Sequence, residues 1–462
     1  MSADRSWTIA PTLLWFGAWL VAGLLVFDHD LDAIADRVTH RRDAAAGPAG
    51  PTFTAAPVEV AEAAGVAEPA SVPAIGTGPD RSTGGALEDT CLEGTPTACR
   101  RWAMDGFYRA VAREAAGQLG RPVRVSWYGD SVIATDAIPA RLRSRLQAEL
   151  GDGGPGFVYV VPPHRFCAHE GITRSHVGPW HTFAISTSLV GDHLFGAGGS
   201  AAETTEGTAT LKLVAGTASR IGLHYLAQPH GGTATVRADG AEVLRVVTRA
   251  DAKGGLVAEQ TLTTGAKKVV VEVAGKVRVF GLALENASGA VVDNFGIVSV
   301  NAKSFANHDA AGYAHALAGR GADLLMVMIG ANEAQWLGPN DTAMKEYGGH
   351  FARVLAPIRA ARPDAACLVV SPTDQAEARD GAYPSRAVMP VLVAAQRQAA
   401  RAAGCAFYST YDWMGGKGSA ERWFKRGYVG TDFQHLSRKG ANKFSDAVFD
   451  ALMAGYRRHA AH

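Results

Sequence analysis

The sequence predicts an α/β fold that is built on a parallel sheet and interrupted by an all-β insert. Apolar, strand-like runs alternate with amphipathic helical patterns before residue 170 and after residue 289, as expected for parallel strands joined by crossover helices. Between these segments, short β-branched runs alternate with polar residues and end at glycine-rich turns. We therefore expect a three-layer domain, formed by residues 91–170 and 289–462, around a sandwich or jelly-roll insert at residues 171–288.

Residues 1–28 are predicted to form a transmembrane anchor. Residues 7–27 carry no charged side chain and are long enough for a helix that crosses a bilayer. The alternative is a cleavable signal peptide, because Ala33-Ile34-Ala35 has the small-x-small form of a cleavage site, although aspartates separate it from the apolar segment. Residues 29–90 are rich in Ala, Pro, Gly and Thr and lack an apolar period, so a disordered linker is predicted there.

The composition of the chain excludes one class of partner. The chain has 462 residues, of which 47% are hydrophobic, and a formal net charge of +1. These values are ordinary for a globular protein with a substantial core. No block of Lys or Arg forms a stripe that could follow a phosphate backbone, so nucleic acid is not expected as a partner.

The cysteines bear on the compartment of the protein. Cys91 and Cys99 flank a turn and could close a small loop in an oxidising compartment, which favours export. The count of basic residues around the apolar segment favours the opposite orientation. Cys367 and Cys405 lie in or beside apolar runs and are predicted to be buried thiols, while Cys167 leaves the cysteine count odd.

The predicted strands of the α/β segments end at residues that can carry chemistry. Before the insert, a helix at residues 102–119 is followed by a strand at 122–128, a turn and a helix at 138–150. After the insert, strands at residues 291–293, 323–329, 366–370 and 405–408 alternate with helices at 347–361 and 387–403. Because ligands of such sheets bind at the carboxyl ends of the strands, we expect the functional site there.

Three motifs supply the parts of an acyl-transfer site. Gly129-Asp130-Ser131 and Gly330-Ala331-Asn332 each follow a predicted strand, and Asp432-Phe433-Gln434-His435 precedes the last helical pattern. Ser131 is the candidate nucleophile, His435 the base that activates it, and Asp432 the carboxylate that supports His435. Each motif is short enough to arise by chance, and Asp432 at a turn with His435 on the surface is the alternative interpretation.

The order and the flanks of these motifs resemble the SGNH (GDSL-type) hydrolases and esterases. The resemblance implies a flavodoxin-like catalytic domain, a serine mechanism and no cofactor. It also implies that the N–H of Ser131, the amide of Asn332 and a third main-chain N–H stabilise the oxyanion. Gly296 and Ser299 are the candidates for the third donor, and Ser299 stands where related proteins often have a second glycine.

Within that superfamily, the chain looks most like bacterial cell-wall and polysaccharide O-acetylesterases. This resemblance rests on the early serine motif, the glycine-rich loop at residues 153–157, the β insert and the late Asp-x-x-His. It implies a periplasmic esterase, anchored to the inner membrane, that removes O-acetyl groups from an acetylated glycan. The alternatives are a polysaccharide O-acetyltransferase with the same triad and a catalytically silent glycan-binding protein. The oligomeric state stays open.

Several other residues have two interpretations. The insert either binds or gates a polymeric substrate or acts as a structural spacer. Asp130 is expected to brace the serine turn, and Glu333 to make a contact that stabilises the fold. Four aromatic side chains are candidates either for a sugar cleft or for the core: Trp336, Trp413, Trp423 and Phe424. A metal site is not expected, because the spacings of a histidine-rich stretch fit no ordinary zinc pattern: His164, Cys167, His169, His176 and His181.

Overall fold

The computed structural model describes residues 81–83 and 87–460. The predicted anchor at residues 1–28, and the predicted linker as far as residue 80, lie outside the described residues. Among the helices that are described, none is both long enough and apolar enough to cross a membrane. The end of the predicted linker is a strand, Leu87–Asp89, because Leu87 is buried against the domain and the strand adds to its sheet.

The helices and strands are numbered here in chain order. The strands are β1 (Arg81–Thr83), β2 (Leu87–Asp89), β3 (Cys91–Thr95), β4 (Ala98–Trp102), β5 (Val123–Gly129), β6 (Gly156–Val158), β7 (Ile172–Val177), β8 (His181–Ala184), β9 (Ser200–Leu213), β10 (Ala218–Ala227), β11 (Thr233–Ala238), β12 (Ala241–Val247), β13 (Gly254–Ala266), β14 (Lys268–Glu285), β15 (Ala290–Gly296), β16 (Leu324–Met328), β17 (Ala366–Val370) and β18 (Ala406–Tyr408). The helices are α1 (Asp105–Ala115), α2 (Ser131–Ala134), α3 (Ala137–Leu150), α4 (Ala310–Arg320), α5 (Asp341–Ala361), α6 (Met389–Ala402), α7 (Thr410–Met414), α8 (Ser419–Lys425) and α9 (Arg438–Ala460), with 3₁₀ turns at Ala302–Asn307 and Glu333–Gln335.

The first sheet has the strand order β1-β2-β18-β17-β16-β5-β15. Its last five strands are parallel, and β2 and β1 add to its edge in antiparallel pairing. Counted from β5 along the chain, the parallel strands follow the flavodoxin-like order 2-1-3-4-5. The predicted parallel α/β sheet is therefore present. In this order β15 lies on one side of β5, and β16, β17 and β18 lie on the other. Ligands of such sheets bind where the strand order switches sides, so the site is expected at the carboxyl ends of β5 and its neighbours.

Helices cover both faces of this sheet. On one face, Phe107 of α1, Leu142 of α3 and Phe444 of α9 pack in one core cluster with Trp127 of β5. On the other face, the main core cluster includes residues of α4, α5 and α6: Tyr313, Phe351 and Leu392. The strands read as continuous apolar runs because both of their faces are buried, and β16 and β17 are buried at every position.

The second sheet has nine strands, from β6 to β14, and is antiparallel throughout. It begins before the predicted boundary at residue 171, because β6 pairs with the end of β14. β14 is a long strand, and a register shift between Ala274 and Val277 accommodates Gly275 within it. Many residues of β13 are exposed, so its apolar pattern in the sequence is weak.

Buried ion pairs connect the two sheets. The guanidinium of Arg320 in α4 contacts Asp293 of β15 at 2.7 Å and Glu285 of β14 at 2.6 Å. Arg124 of β5 contacts the second oxygen of Glu285, also at 2.6 Å. Burial acts to raise the pKa of Glu285, but the charges of Arg320 and Arg124 outweigh it and lower the pKa to about 2. Separating the second sheet from β15 would leave these buried charges unpaired, which costs several kcal/mol per charge in general. The ion pairs therefore hold the second sheet against β15.

Two disulfide bonds are present. Cys91 and Cys99 close the hairpin of β3 and β4, and Cys367 is bonded to Cys405. The prediction that Cys367 and Cys405 are buried thiols is therefore wrong. The pairing of Leu368 with Ala406 in the parallel strands β17 and β18 places the two preceding cysteines side by side. Cys167 is a buried free thiol.

Candidate active site

Three neighbouring strands of the parallel sheet end at the predicted site residues. Gly129 of β5 lies opposite Gly296 of β15 on one side and opposite Met328 of β16 on the other. Ser131 follows Gly129 by two residues, and Ser299 and Asn332 lie just beyond the ends of the flanking strands. Because neighbouring strands are about 4.8 Å apart, the three loops meet at one edge of the sheet.

The serine turn is built from a strand end, a cap and a short helix. Ser131 is the first residue of α2, and the carboxylate of Asp130 caps this helix by accepting the N–H of Val132 at 2.9 Å. A Cβ atom at position 129 would lie 2.3 Å from Cγ1 of Ile133, so only glycine allows the helix to turn back against the strand. The turn thus projects the serine from the end of β5.

His435 lies within hydrogen-bond distance of Ser131. Oγ of Ser131 is 2.8 Å from Nε2 of His435, and Nδ1 of His435 is 2.6 Å from Oδ2 of Asp432. When Nδ1–H donates to Asp432, Nε2 is left as the acceptor for the serine hydroxyl. The structure therefore brings together the three residues that the motifs nominated, across 304 positions of the chain.

The histidine loop is held by its own main chain and by one aromatic anchor. Oδ1 of Asp432 accepts the N–H groups of Gln434 and His435, each at 3.0 Å. Phe433 has a φ of 53°, an uncommon value for a bulky residue. Its ring is buried beside Tyr383 and Phe424, at centroid distances of 4.7 and 4.8 Å. This packing turns the loop so that His435 points to the serine.

The surroundings of Asp432 keep its carboxylate ionised. Partial burial acts to raise the pKa of Asp432, but the two main-chain N–H groups and the side chain of His435 outweigh it, and the net effect is a pKa below the ordinary value. The side chain of Asp432 is 52% exposed, so water also reaches it. An ionised carboxylate at this position stabilises an imidazolium that forms when His435 takes a proton.

Three hydrogen-bond donors at the strand ends have capacity left for a ligand. Within the described residues, no hydrogen bond engages the main-chain N–H of Ser131 or that of Ser299. The amide of Asn332 donates to the carbonyl of Val300 at 2.8 Å and keeps its second N–H. In contrast, the N–H of Gly296 is donated to Oδ1 of Asn294 at 2.9 Å. Of the two candidates for the third donor, Ser299 is therefore the one with a free N–H.

The backbone of Ser299 has the conformation that favours glycine. Its φ is 65°, in the left-handed region, and the residue is exposed. Gly330, which opens the asparagine turn, also has a positive φ, at 117°. The serine at position 299 thus keeps the backbone shape, and with it the N–H, that a glycine would give.

Two buried carboxyl groups lie behind these loops. Asp130 accepts the N–H of Val132, and Oε1 of Glu333 accepts the N–H of Ala302 at 2.7 Å. Burial raises the pKa of Asp130 to about 6 and that of Glu333 to about 7. These folded-state pKa values exceed the ordinary ones, so the folded protein holds both protons more tightly than the unfolded chain does. The resulting contribution to the free energy of unfolding is complete below about pH 4 and is lost as the pH rises through 6 to 7. Glu333 connects the asparagine turn to the segment that follows Ser299.

Burial decides which of the four aromatic candidates could line a sugar cleft and which pack in the core. Trp423 is buried, and its ring lies 5.2 Å from that of Trp413, which packs in turn on Phe444. Phe424 packs on Phe433. Trp423 belongs to the core, Trp413 and Phe424 are half-buried against it, and only Trp336 of the four is exposed. In the part of the chain that the structure describes, no group of three or more His, Cys, Asp or Glu side chains could hold a metal ion.

A chain of glutamines joins the site loops and was not predicted. Nε2 of Gln335 contacts Oε1 of Gln375 at 2.5 Å and Oε1 of Gln434 at 3.3 Å, and Gln375 donates to the carbonyl of Ala331 at 3.0 Å. Gln434 lies between Asp432 and His435 in the sequence. Gln434 was therefore visible in the histidine motif. Its contacts could not be predicted, because glutamine rarely acts as an acid, base or nucleophile and the partners of Gln434 are distant in the chain.

The arrangement is suited to acyl transfer. It offers a hydroxyl nucleophile, a base that contacts it, a carboxylate that orients the base, and three donors near the nucleophile. The acidic and basic groups are preformed without a ligand.

Comparisons with known proteins find similarity to lipases and esterases. Residues 269–443 match the GDSL-like Lipase/Acylhydrolase family. A solved structure of a peptidoglycan O-acetylesterase aligns with a TM-score of 0.66 and 25% identity over 76% of this chain and 96% of that chain. An acetylxylan esterase from Geobacillus stearothermophilus aligns with a TM-score of 0.26 and 16% identity over 35% of this chain and 73% of that chain. No curated protein matches.

Proposed function

We propose, on the premise that this chain is an SGNH-type esterase with a GDSL-like lipase/acylhydrolase domain, that it removes O-acetyl groups from a cell-envelope glycan. The observation that carries the proposal is the contact of 2.8 Å between Oγ of Ser131 and Nε2 of His435, at the edge where three donors are available. The alignment with a peptidoglycan O-acetylesterase over nearly all of that protein supports an acetylated glycan as the substrate.

In the proposed reaction, Oγ of Ser131 attacks the carbonyl carbon of the acetyl ester while Nε2 of His435 accepts the hydroxyl proton. The oxyanion of the tetrahedral intermediate accepts hydrogen bonds from the N–H groups of Ser131 and Ser299 and from the amide of Asn332. His435 then returns the proton to the departing sugar oxygen, which leaves acetyl-Ser131. A water molecule, deprotonated by His435, attacks this ester, and acetate leaves as Ser131 regains its proton.

The proposed location is the periplasm of a bacterium. Two disulfide bonds among the described residues are expected of a protein that folds in an oxidising compartment. In this proposal, the anchor at residues 1–28 and the linker hold the catalytic body on the outer side of the inner membrane, and the β insert contacts the glycan.

The test of the proposal is acetate release from O-acetylated peptidoglycan. We expect the purified protein to release acetate with no second glycan present, because water suffices as the acceptor. If acetyl groups instead move to an added unacetylated glycan and little acetate appears, the protein is an O-acetyltransferase. If a fluorophosphonate probe fails to label Ser131 and no acetyl group moves, the esterase proposal is wrong.

Replacement of Asn332 by alanine is expected to lower kcat by about 10²- to 10³-fold, because one oxyanion donor is lost. KM should change much less, since the donor acts on the charge of the intermediate. The matched variant is Ser299→Gly, which keeps the N–H and suits the φ of 65°, and should retain activity. Steady-state kinetics with 4-nitrophenyl acetate would measure both. Unchanged kcat in Asn332→Ala would remove Asn332 from the oxyanion site.

A further inference from the structure

The exposed aromatic side chains of the protein are concentrated around the candidate active site. Among the described residues, three Phe, Tyr or Trp side chains are exposed: Phe166 at 52%, Trp336 at 56% and Tyr383 at 36%. Single exposed apolar residues are normal on a protein surface. Here, however, all three are connected to the loops that carry Ser131, Asn332 and His435.

Trp336 lies on the side of Asn332. The 3₁₀ turn Glu333–Gln335 separates the two residues, and the N–H of Trp336 is bonded to the carbonyl of Glu333 at 3.1 Å. Nζ of Lys303, in the segment that follows Ser299, is 6.0 Å from the centre of the indole ring. Trp336 therefore lies beside both loops that supply oxyanion donors. Ala334, in the same turn, packs in the core that contains α5 and α6.

Phe166 lies in a loop beside β15, the strand that flanks β5 on the side away from β16 and Trp336. The N–H of Ala168 is bonded to the carbonyl of Ala134 at 2.9 Å, at the end of the helix that begins with Ser131. Glu170, farther along the same loop, is bonded to Arg438, which follows His435 by three residues. Since β15 and β16 lie on opposite sides of β5, this loop and Trp336 flank the serine from two sides.

Tyr383 lies beside the histidine loop. Its ring is 4.7 Å from that of Phe433, between Asp432 and His435 in the sequence. Gln335 and Gln434, joined at 3.3 Å, connect the tryptophan side of the site to the histidine loop. The oxygen of the Gln335 amide and the nitrogen of the Gln434 amide make no hydrogen bond within the described part of the chain, so they offer an acceptor and donors between the rings.

We infer that Trp336 and Phe166 are platforms for sugar rings of the substrate on the two sides of Ser131, with Tyr383 as a third. Flat aromatic faces suit the apolar face of a pyranose ring, and the free amide groups suit its hydroxyls. The acetyl group itself contacts the triad and the oxyanion donors, so the rings are left for the sugars around it. The inference rests on the proposed function and assigns its substrate class as an extended glycan, bound by several rings, instead of a single acetylated sugar.

The kinetic test compares a polymer with a small ester. For Trp336→Ala and Phe166→Ala, kcat/KM on O-acetylated peptidoglycan should fall at least tenfold further than kcat/KM on 4-nitrophenyl acetate, chiefly through KM. Trp336→Phe should recover part of the loss, because it keeps an aromatic face. The control is Glu149→Ala, which removes an exposed side chain from the last turn of α3, outside the β insert and beside the start of β15. It should match the wild type on both substrates.

Two kinetic results would overturn the inference. Equal losses on both substrates would indicate a structural role, and no selective loss on the polymer would show that the rings do not bind it. Binding separates this inference from the proposed function. Ser131→Ala protein should cosediment with O-acetylated peptidoglycan, and adding Trp336→Ala should weaken that binding about tenfold. Failure of the Ser131→Ala protein to cosediment overturns the inference. If that protein cosediments but the wild type releases no acetate, only the proposed reaction is overturned.

Discussion

Replacement of Ser131 by alanine is expected to lower kcat for acetate release by roughly 10⁴- to 10⁶-fold, as is replacement of His435 by alanine. Without the hydroxyl there is no nucleophile. Without the imidazole at 2.8 Å the hydroxyl keeps its proton near neutral pH and is a poor nucleophile. The two residues act as a unit, so the double variant should be scarcely worse than either single one. Release of acetate from O-acetylated peptidoglycan would measure all three proteins.

The matched control is Ser144→Ala, which removes an exposed hydroxyl from α3, outside the β insert. Its kcat should equal that of the wild type. Thermal unfolding should show similar melting temperatures for all variants, since neither Ser131 nor His435 belongs to a buried core cluster. Residual activity of either catalytic variant within tenfold of the wild type would contradict the assignment. A fluorophosphonate probe should label the wild type and leave Ser131→Ala unlabelled.

Local sequence patterns were sufficient to predict the parallel sheet and the edge of it at which Ser131 and Asn332 lie. β16 and β17 are buried on both faces, so they appear in the sequence as unbroken apolar runs, and a polar turn marks the end of each. Ser131 and Asn332 lie in such turns. Because the carboxyl ends of parallel strands share one edge, position after a strand predicts proximity in space even between residues about 200 positions apart.

Features that depend on contacts between distant segments were beyond these patterns. An apolar neighbourhood suggested a thiol for Cys405, whereas the pairing of β17 with β18 decides that it forms a disulfide. Trp423 and Trp336 are the same residue type near the same site, yet one is buried and the other exposed. Only the packing of α7, α8 and α9 makes this difference. Sequence periodicity carries no information on such packing when the helices are short.

The conformation of Ser299 shows how a motif can change in sequence and keep its backbone shape. What the oxyanion requires is a main-chain N–H in a left-handed turn, and the side chain is secondary. Glycine meets this requirement without strain, whereas serine meets it at a modest cost in conformational energy. The departure from the pattern of related proteins therefore leaves the proposed chemistry intact, while the N–H of Gly296 is already used within the fold.

Replacement of Asp432 by asparagine is expected to lower kcat by about 10³- to 10⁴-fold at neutral pH. The asparagine oxygen can still accept the N–H groups of Gln434 and His435, so the loop should keep its shape. Its amide nitrogen would then face Nδ1 of His435 as a donor. That contact favours the tautomer with the proton on Nε2, which can no longer accept the proton of Ser131.

Comparison with Asp432→Ala distinguishes the two roles of the carboxylate. The side chain of Asp432 is 52% exposed, so in the alanine variant water can reach His435 and accept a hydrogen bond from Nδ1–H. We therefore expect Asp432→Ala to be less impaired than Asp432→Asn, although both lose the charge that stabilises the imidazolium. Measurements of kcat for both variants test this order. If the asparagine variant is instead the more active, the carboxylate acts through its charge alone and the tautomer of His435 is set by other contacts.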